Sequence, residues 1–217
     1  MKKVAVILSG CGFQDGSEIH ESTLTLLNLS QANIPYQCMA PNINQVKVYD
    51  YYHKQYKDQE ARKVLNESGK IARCNILDIA DCDPNEYTAA IFPGGAGAAT
   101  TLSNFAVDFD NYEVQKDILE FAEKLAQQKK PIGFICIAPC LIPGIYKKEV
   151  RCTIGNDPIV AKQLENLGCQ HLECSAKDIV VDDRHKVVTT PAYMLAQNIN
   201  DVYEGLYKLV SKINELS

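Results

Sequence analysis

Short apolar runs that stop abruptly constrain this chain more than any other feature. VAVILS (4–9), PYQCMAP (35–41), AAIFP (89–93) and IGFI (132–135) are too short to be packed helices. They are also too apolar throughout to be strands with one face in water, so they read as strands buried on both faces. Helical patterns fall between them. One runs from Ser17 to Ala32, with Ser17 as N-cap and Glu21 in its first turn. In another, Val114, Ile118, Phe121 and Leu125 share a face. Asp157-Pro158 opens a third, which Gly168 closes, and Ile199, Val202, Leu206, Leu209 and Ile213 mark the last. IVVDDRHKVVTT (179–190) reads as a hairpin. The polar, aromatic stretch 47–69 reads as a short strand or hairpin followed by a helix ending near Gly69. Buried strands alternating with amphipathic helices predict an α/β fold: one domain over 1–217, a three-layer sandwich of a mostly parallel sheet with helices on both faces.

Charge and cysteine usage narrow the function. A net charge of −5 argues against non-specific nucleic-acid binding. The first apolar run ends at Ser9-Gly10, shorter than a signal-peptide core, and no run approaches a membrane span. Nine cysteines, an odd number without paired spacing, do not form a disulfide framework. Reduced thiols and a cytoplasmic location are expected, with no partner nucleic acid or membrane.

Open parallel sheets bind ligands at the carboxyl ends of their strands. Four loops then matter: GCGFQDGSE (10–18), PGGAGAA (93–99), CIAP (136–139) and TTPAYM (189–194). Gly10-x-Gly12 suggests a dinucleotide site, but the third glycine falls one place late, at Gly16, and no acidic residue closes the second strand. That reading is rejected. Cys136 stands at a strand-to-helix junction, where a helix N-terminus favours the thiolate. The amides of Gly94 and Gly95, together with that of Ile137, can line an oxyanion hole. Cys11 either lines the same pocket or fills a glycine turn, and Thr190 and Tyr193 are further pocket candidates. Cys136 and Cys140, four apart, lack the further ligands a tetrahedral metal needs, so no metal and no cofactor is expected.

SGCGFQDGSEIHE (9–21), FPGGAGAATTLSNFAV (92–107), KPIGFICIAP (130–139) and KVVTTPAYMLAQNI (186–199) resemble the ElbB family. These are isoprenoid-biosynthesis proteins with an amidotransferase-like domain, named for enhancing lycopene biosynthesis. They lie within the class I glutamine amidotransferase-like superfamily, beside PfpI-type proteins and the Parkinson-associated deglycase. The resemblance covers nearly the whole chain. It implies a flavodoxin-like fold, a homodimer, Cys136 as nucleophile and Glu18 as its acidic partner. The activity it implies is glyoxalase-type: a small aldehyde, glyoxal or methylglyoxal, becomes its hydroxy acid through a cysteine hemithioacetal, without glutathione or metal. A protonated Glu18 would hydrogen-bond the thiolate; the bare residue could equally be a first-turn carboxylate that complements the helix dipole.

The departures bear on mechanism. Amidotransferases carry a late histidine to activate the cysteine, and TTPAYM has none. PfpI-type peptidases place histidine directly after the cysteine, where this chain has Ile137. His53, His171 and His185 lie in polar or connecting segments and read as solvated surface. His20 is near the site, but a helix turns it about 200° from residue 18, so it is expected to face elsewhere. Two other classes compete with the glyoxalase: a redox-sensing or scaffold protein whose cysteine is oxidised, and an amidotransferase-like partner subunit in isoprenoid metabolism.

Overall fold

The computed structural model describes residues 3–217. Strand β1 (Lys3–Ile7), helix α1 (Ile19–Gln31) and strand β2 (Tyr36–Ala40) open the chain. A small hairpin of β3 (Tyr49–Asp50) and β4 (Gln55–Tyr56) follows, then α2 (Val64–Ile71), β5 (Ile76–Asp78), β6 (Tyr87–Phe92) and the short α3 (Ala96–Thr100). The second half runs α4 (Lys116–Gln127), β7 (Ile132–Ile135), α5 (Ile142–Tyr146), β8 (Arg151–Cys152), α6 (Pro158–Asn166) and β9 (Gln170–His171). Strands β10 (Val180–Asp182) and β11 (Val187–Thr190) and helix α7 (Ile199–Leu216) complete it.

Seven strands form one sheet in the order β10-β11-β7-β6-β1-β2-β5. Only the edge pair β10–β11 is antiparallel; the other five pairs are parallel. Side chains alternate across this sheet as the period of two requires. Ala5 and Ile7 join Ile118, Phe121 and Leu164 of α4 and α6 in one core. Val4 and Val6 join Leu29, Val64 and Val202 of α1, α2 and α7 in the other. The three-layer α/β sandwich expected from the apolar runs is therefore the fold. Among the described residues no helix is long and apolar enough to cross a membrane.

The winding places the site. From β1 the chain moves to β2 and β5 on one side, then returns to β6, β7 and β11 on the other. The order reverses between β1 and β6, and a crevice opens there at the carboxyl ends of the strands. Two local expectations shift. Helix α1 is capped by Glu18 rather than Ser17, because Ser17 Oγ is occupied, accepting the Ser9 N–H at 2.8 Å. After Cys136 no long helix begins. A 3-10 turn (Ala138–Leu141) leads into the five-residue α5, and Pro139 and Pro143 remove two amide donors from this stretch.

Candidate active site

Cys136 follows the last residue of β7 with φ +60°, a left-handed backbone that L-residues adopt at a cost of roughly 1–2 kcal/mol. Its N–H donates to the carbonyl of Thr190 at 2.9 Å, so β11 holds the turn in place. This strained strand-to-helix turn lifts the sulfur out of the sheet edge, as a nucleophile elbow does. The residue remains only 7% exposed. The backbone amides of Gly95 and Ile137 lie at the sulfur and favour its charged form.

The carboxylate beside the thiol is Glu21, and this corrects the expectation for Glu18. Glu18 is the N-cap, in extended conformation (φ −63°, ψ 126°). Its Oε2 accepts the Glu21 N–H at 2.7 Å, which turns its carboxylate back on the first helical turn. One turn on, Glu21 reaches under the elbow and is fully buried. Its Oε2 accepts the Gly94 N–H at 2.9 Å, its Oε1 accepts the Tyr193 N–H at 3.3 Å, and its carboxyl interacts with the neighbouring Cys136 thiol. Burial, then the negative charge of Glu18, pushes its carboxyl up to about 8. Burial and the charge of Glu21 push the Cys136 thiol up, against the pull of the Gly95 and Ile137 amides. Two negative charges do not fit here, so the pair titrates as a unit carrying at most one. A thiolate arises only with Glu21 protonated. Sequence carried one signal for this role: Glu21 is three residues past the cap, the place from which a carboxylate reaches the preceding loop.

Gly94 is the second correction. Its N–H is spent on Glu21 and does not face the cavity as an oxyanion donor. It has to be glycine, because a Cβ there would collide with Cys136 and lie 2.6 Å from Glu21 Oε2. Gly95 has φ +95°, and a Cβ would meet the backbone of Gly16 and Glu18.

A cavity of about 850 Å³ opens over the sulfur, and Glu18, His20, Gly95, Ile137 and Tyr193 line it with Cys136. His20 therefore lines the cavity with Glu18, contrary to the helical-wheel expectation, because Glu18 is the extended N-cap and a helical wheel does not hold across it. Its Nδ1 shares a 2.7 Å hydrogen bond with the Tyr193 hydroxyl. Thr190 does not line the cavity; its Oγ1 donates to the carbonyl of Asp178 at 2.7 Å. Cys11 lies instead near Lys70 and Glu67 at α2, and burial pushes its thiol up. Cys140 is fully buried, 3.7 Å from Ser103 Oγ. His185, expected on solvated surface, is mostly buried, with its ring against Tyr146 and its Nδ1 3.1 Å from Asp182.

One wall of the site escaped sequence reasoning. Tyr51 follows β3 in the hairpin, and its hydroxyl donates to Asp15 Oδ1 at 2.7 Å and accepts the Gln14 N–H at 2.9 Å. Asp15 Oδ2 accepts the Tyr49 N–H at 2.8 Å, so the buried Asp15 latches the hairpin onto the loop after β1. Phe13 and Tyr51 then stand together at the cavity, ring centroids 5.7 Å apart.

No family model matches the chain. It is 38% identical over 224 residues to the human glutamine amidotransferase-like class 1 domain-containing protein 3, mitochondrial, a match covering 99% of this chain and 83% of that protein. The rat ES1 protein homolog, mitochondrial, is 37% identical, with 99% and 84% covered. A crystal structure of an isoprenoid biosynthesis protein with amidotransferase-like domain from Ehrlichia chaffeensis superposes with TM-score 0.91 at 34% identity, covering 98% of this chain and 99% of that one. Schizosaccharomyces pombe DJ-1 shares the fold, with TM-score 0.56 at 19% identity over 99% of this chain and 96% of that one. The relatives' names overturn the cytoplasmic expectation, since these animal proteins, the zebrafish one included, are all named mitochondrial. Unpaired cysteines report a reducing surrounding and do not say which compartment supplies it.

Proposed function

The chain belongs to the family of glutamine amidotransferase-like class 1 domain proteins that includes the ElbB-like isoprenoid biosynthesis proteins, and from that premise we propose that it is a glutathione-independent glyoxalase using Cys136 as nucleophile. The observation that carries this reading is the convergence of the Gly95 and Ile137 amides and the Glu21 carboxyl on one elbow sulfur. The names of its relatives, which call those proteins mitochondrial, support a mitochondrial setting for this activity.

The reacting species is the pair after loss of one proton, as thiolate with neutral Glu21. The thiolate adds to one aldehyde carbon of glyoxal. A C–S bond forms, and the carbonyl electron pair becomes an oxyanion held by the Gly95 and Ile137 amides. Glu21 gives its proton to that oxygen, leaving a neutral hemithioacetal and a carboxylate. The carboxylate then removes the hydrogen from the sulfur-bearing carbon as a proton, giving an enediolate, and returns that proton to the neighbouring carbon while the hydroxyl proton on the sulfur-bearing carbon passes to the other oxygen. The product is a thioester of glycolate. Water cleaves it, restoring Cys136 and releasing glycolate, so glyoxal plus water gives glycolate with no external oxidant or reductant. The buried Glu21 is suited to this work because its carboxyl, near 8, sits close to working pH.

Glycolate formation, followed by NMR with EDTA present and glutathione absent, tests the proposal. Wild-type protein should produce glycolate and Cys136→Ala should not. Activity that survives Cys136→Ala, or that chelation abolishes, sinks it.

A further inference from the structure

We infer that this site, while it turns over glyoxal, favours an uncharged aldehyde with an apolar body the size of an aromatic ring or larger over two- and three-carbon aldehydes, and disfavours anions. The inference rests on the glyoxalase reading above and concerns what lies beyond the reacting carbonyl. Glyoxal has four heavy atoms, whereas the cavity over Cys136 holds about 850 Å³, a volume in the range of sites for drug-sized ligands. Its walls are the second observation. Phe13, Ile19, Tyr51, Ile137 and Met194 line it. Of these, Phe13 is 53% exposed, Ile19 45% and Tyr51 40%, so a large apolar rim is left in water. Contiguous apolar surface around a nucleophile is a binding feature, because its burial is gained only when something apolar enters. The rim is also built rather than loose. The buried Asp15 holds the Tyr51 hydroxyl at 2.7 Å, and Tyr51 packs on Phe13.

Charge supplies the third observation. Among the described residues no lysine or arginine lines the cavity; Glu18 does, and Glu21 lies beside the sulfur. A carboxylate or phosphate on the substrate would meet a carboxylate with no lysine or arginine among the described lining residues to offset it, which selects against such anions. The polar groups that remain, His20 and the Tyr193 hydroxyl joined at 2.7 Å, suit a neutral hydroxyl or carbonyl.

Two measurements test this and separate it from the activity. The first compares kcat/KM for methylglyoxal, phenylglyoxal and 4-carboxyphenylglyoxal. Each buried methylene is worth about a fourfold gain, and a ring seated against a rim that stays partly open to water gains roughly two to three of these, so phenylglyoxal should exceed methylglyoxal by roughly 10- to 100-fold. The 4-carboxy compound should fall back by about 10-fold or more. The second measures alkylation of Cys136 by N-benzyl-2-iodoacetamide, 2-iodoacetamide and iodoacetate, each rate divided by that of a free thiol. The benzyl reagent should lead by about 10-fold and iodoacetate should trail, and Phe13→Ala should shrink the benzyl advantage. Alkylation selectivity without turnover of any aldehyde would refute the glyoxalase and leave the substrate class standing. Alkylation ratios equal to those of the free thiol, or turnover with no preference for phenylglyoxal, would overturn the inference itself.

Discussion

Replacing Glu21 by glutamine should stabilise the folded protein at neutral pH while disabling it. The Glu21 carboxyl is raised from 4.5 to about 8, chiefly by burial. A raised carboxyl means that the folded state keeps a proton the unfolded chain releases. Between pH 4.5 and 8 stability therefore falls as pH rises, by about 1.4 kcal/mol per pH unit. At pH 7 the accumulated cost is about 3 kcal/mol, and below pH 4.5 it vanishes. Glutamine carries no such cost. It keeps an oxygen for the Gly94 N–H but turns an amide nitrogen towards the Tyr193 N–H, losing about 1 kcal/mol. The net expectation is a gain of about 2 kcal/mol at pH 7, or roughly 4–8 °C in Tm, and no gain at pH 5. Urea unfolding of wild type and Glu21→Gln at pH 5, 6, 7 and 8 measures it. The difference between the two should climb with pH. A difference that stays flat across this range, or a wild type that is the more stable at pH 7, would refute the placement of a buried neutral carboxyl. Turnover should drop by about 2–4 orders of magnitude in the same variant, since the proton shuttle is gone.

Other expectations follow from the same contacts. Turnover and alkylation of Cys136 should both rise about tenfold per pH unit up to about 8 and then level, because the singly charged pair forms only when the shared proton leaves; a pH–rate profile flat from 6 to 8 would contradict this. Gly94→Ala should lose activity and about 2–3 kcal/mol of stability, as its Cβ meets Glu21 Oε2 at 2.6 Å and the Cys136 side chain; a fully active variant in a kinetic assay would show that the contact relaxes freely. The isolated chain should release no ammonia from glutamine, because Pro191, Ala192 and Tyr193 occupy the segment where amidotransferases carry a histidine; an ammonia assay decides it.

Sequence alone determined the layers and the place of the elbow cysteine. The runs at 4–9, 89–93 and 132–135 could bury both faces only in a parallel sheet, and a cysteine directly after IGFI had to emerge at the sheet's carboxyl edge. The Asp157 cap is legible for the same reason: its carboxylate accepts the N–H groups of Ile159 and Val160, two and three residues away. Which carboxylate meets the sulfur was a tertiary decision. Glu18 and Glu21 look alike along the chain, and whichever caps α1 turns its charge away from the elbow. Glu21 is instead held by amides 73 and 172 positions away. The wall formed by Phe13 and Tyr51 was equally hidden, since it exists only through the Asp15 latch between two loops. Caps and buried strands are set by neighbours a few residues apart, and periodicity reports them. A site is set by atoms that converge from distant segments, and only the packed chain brings those together.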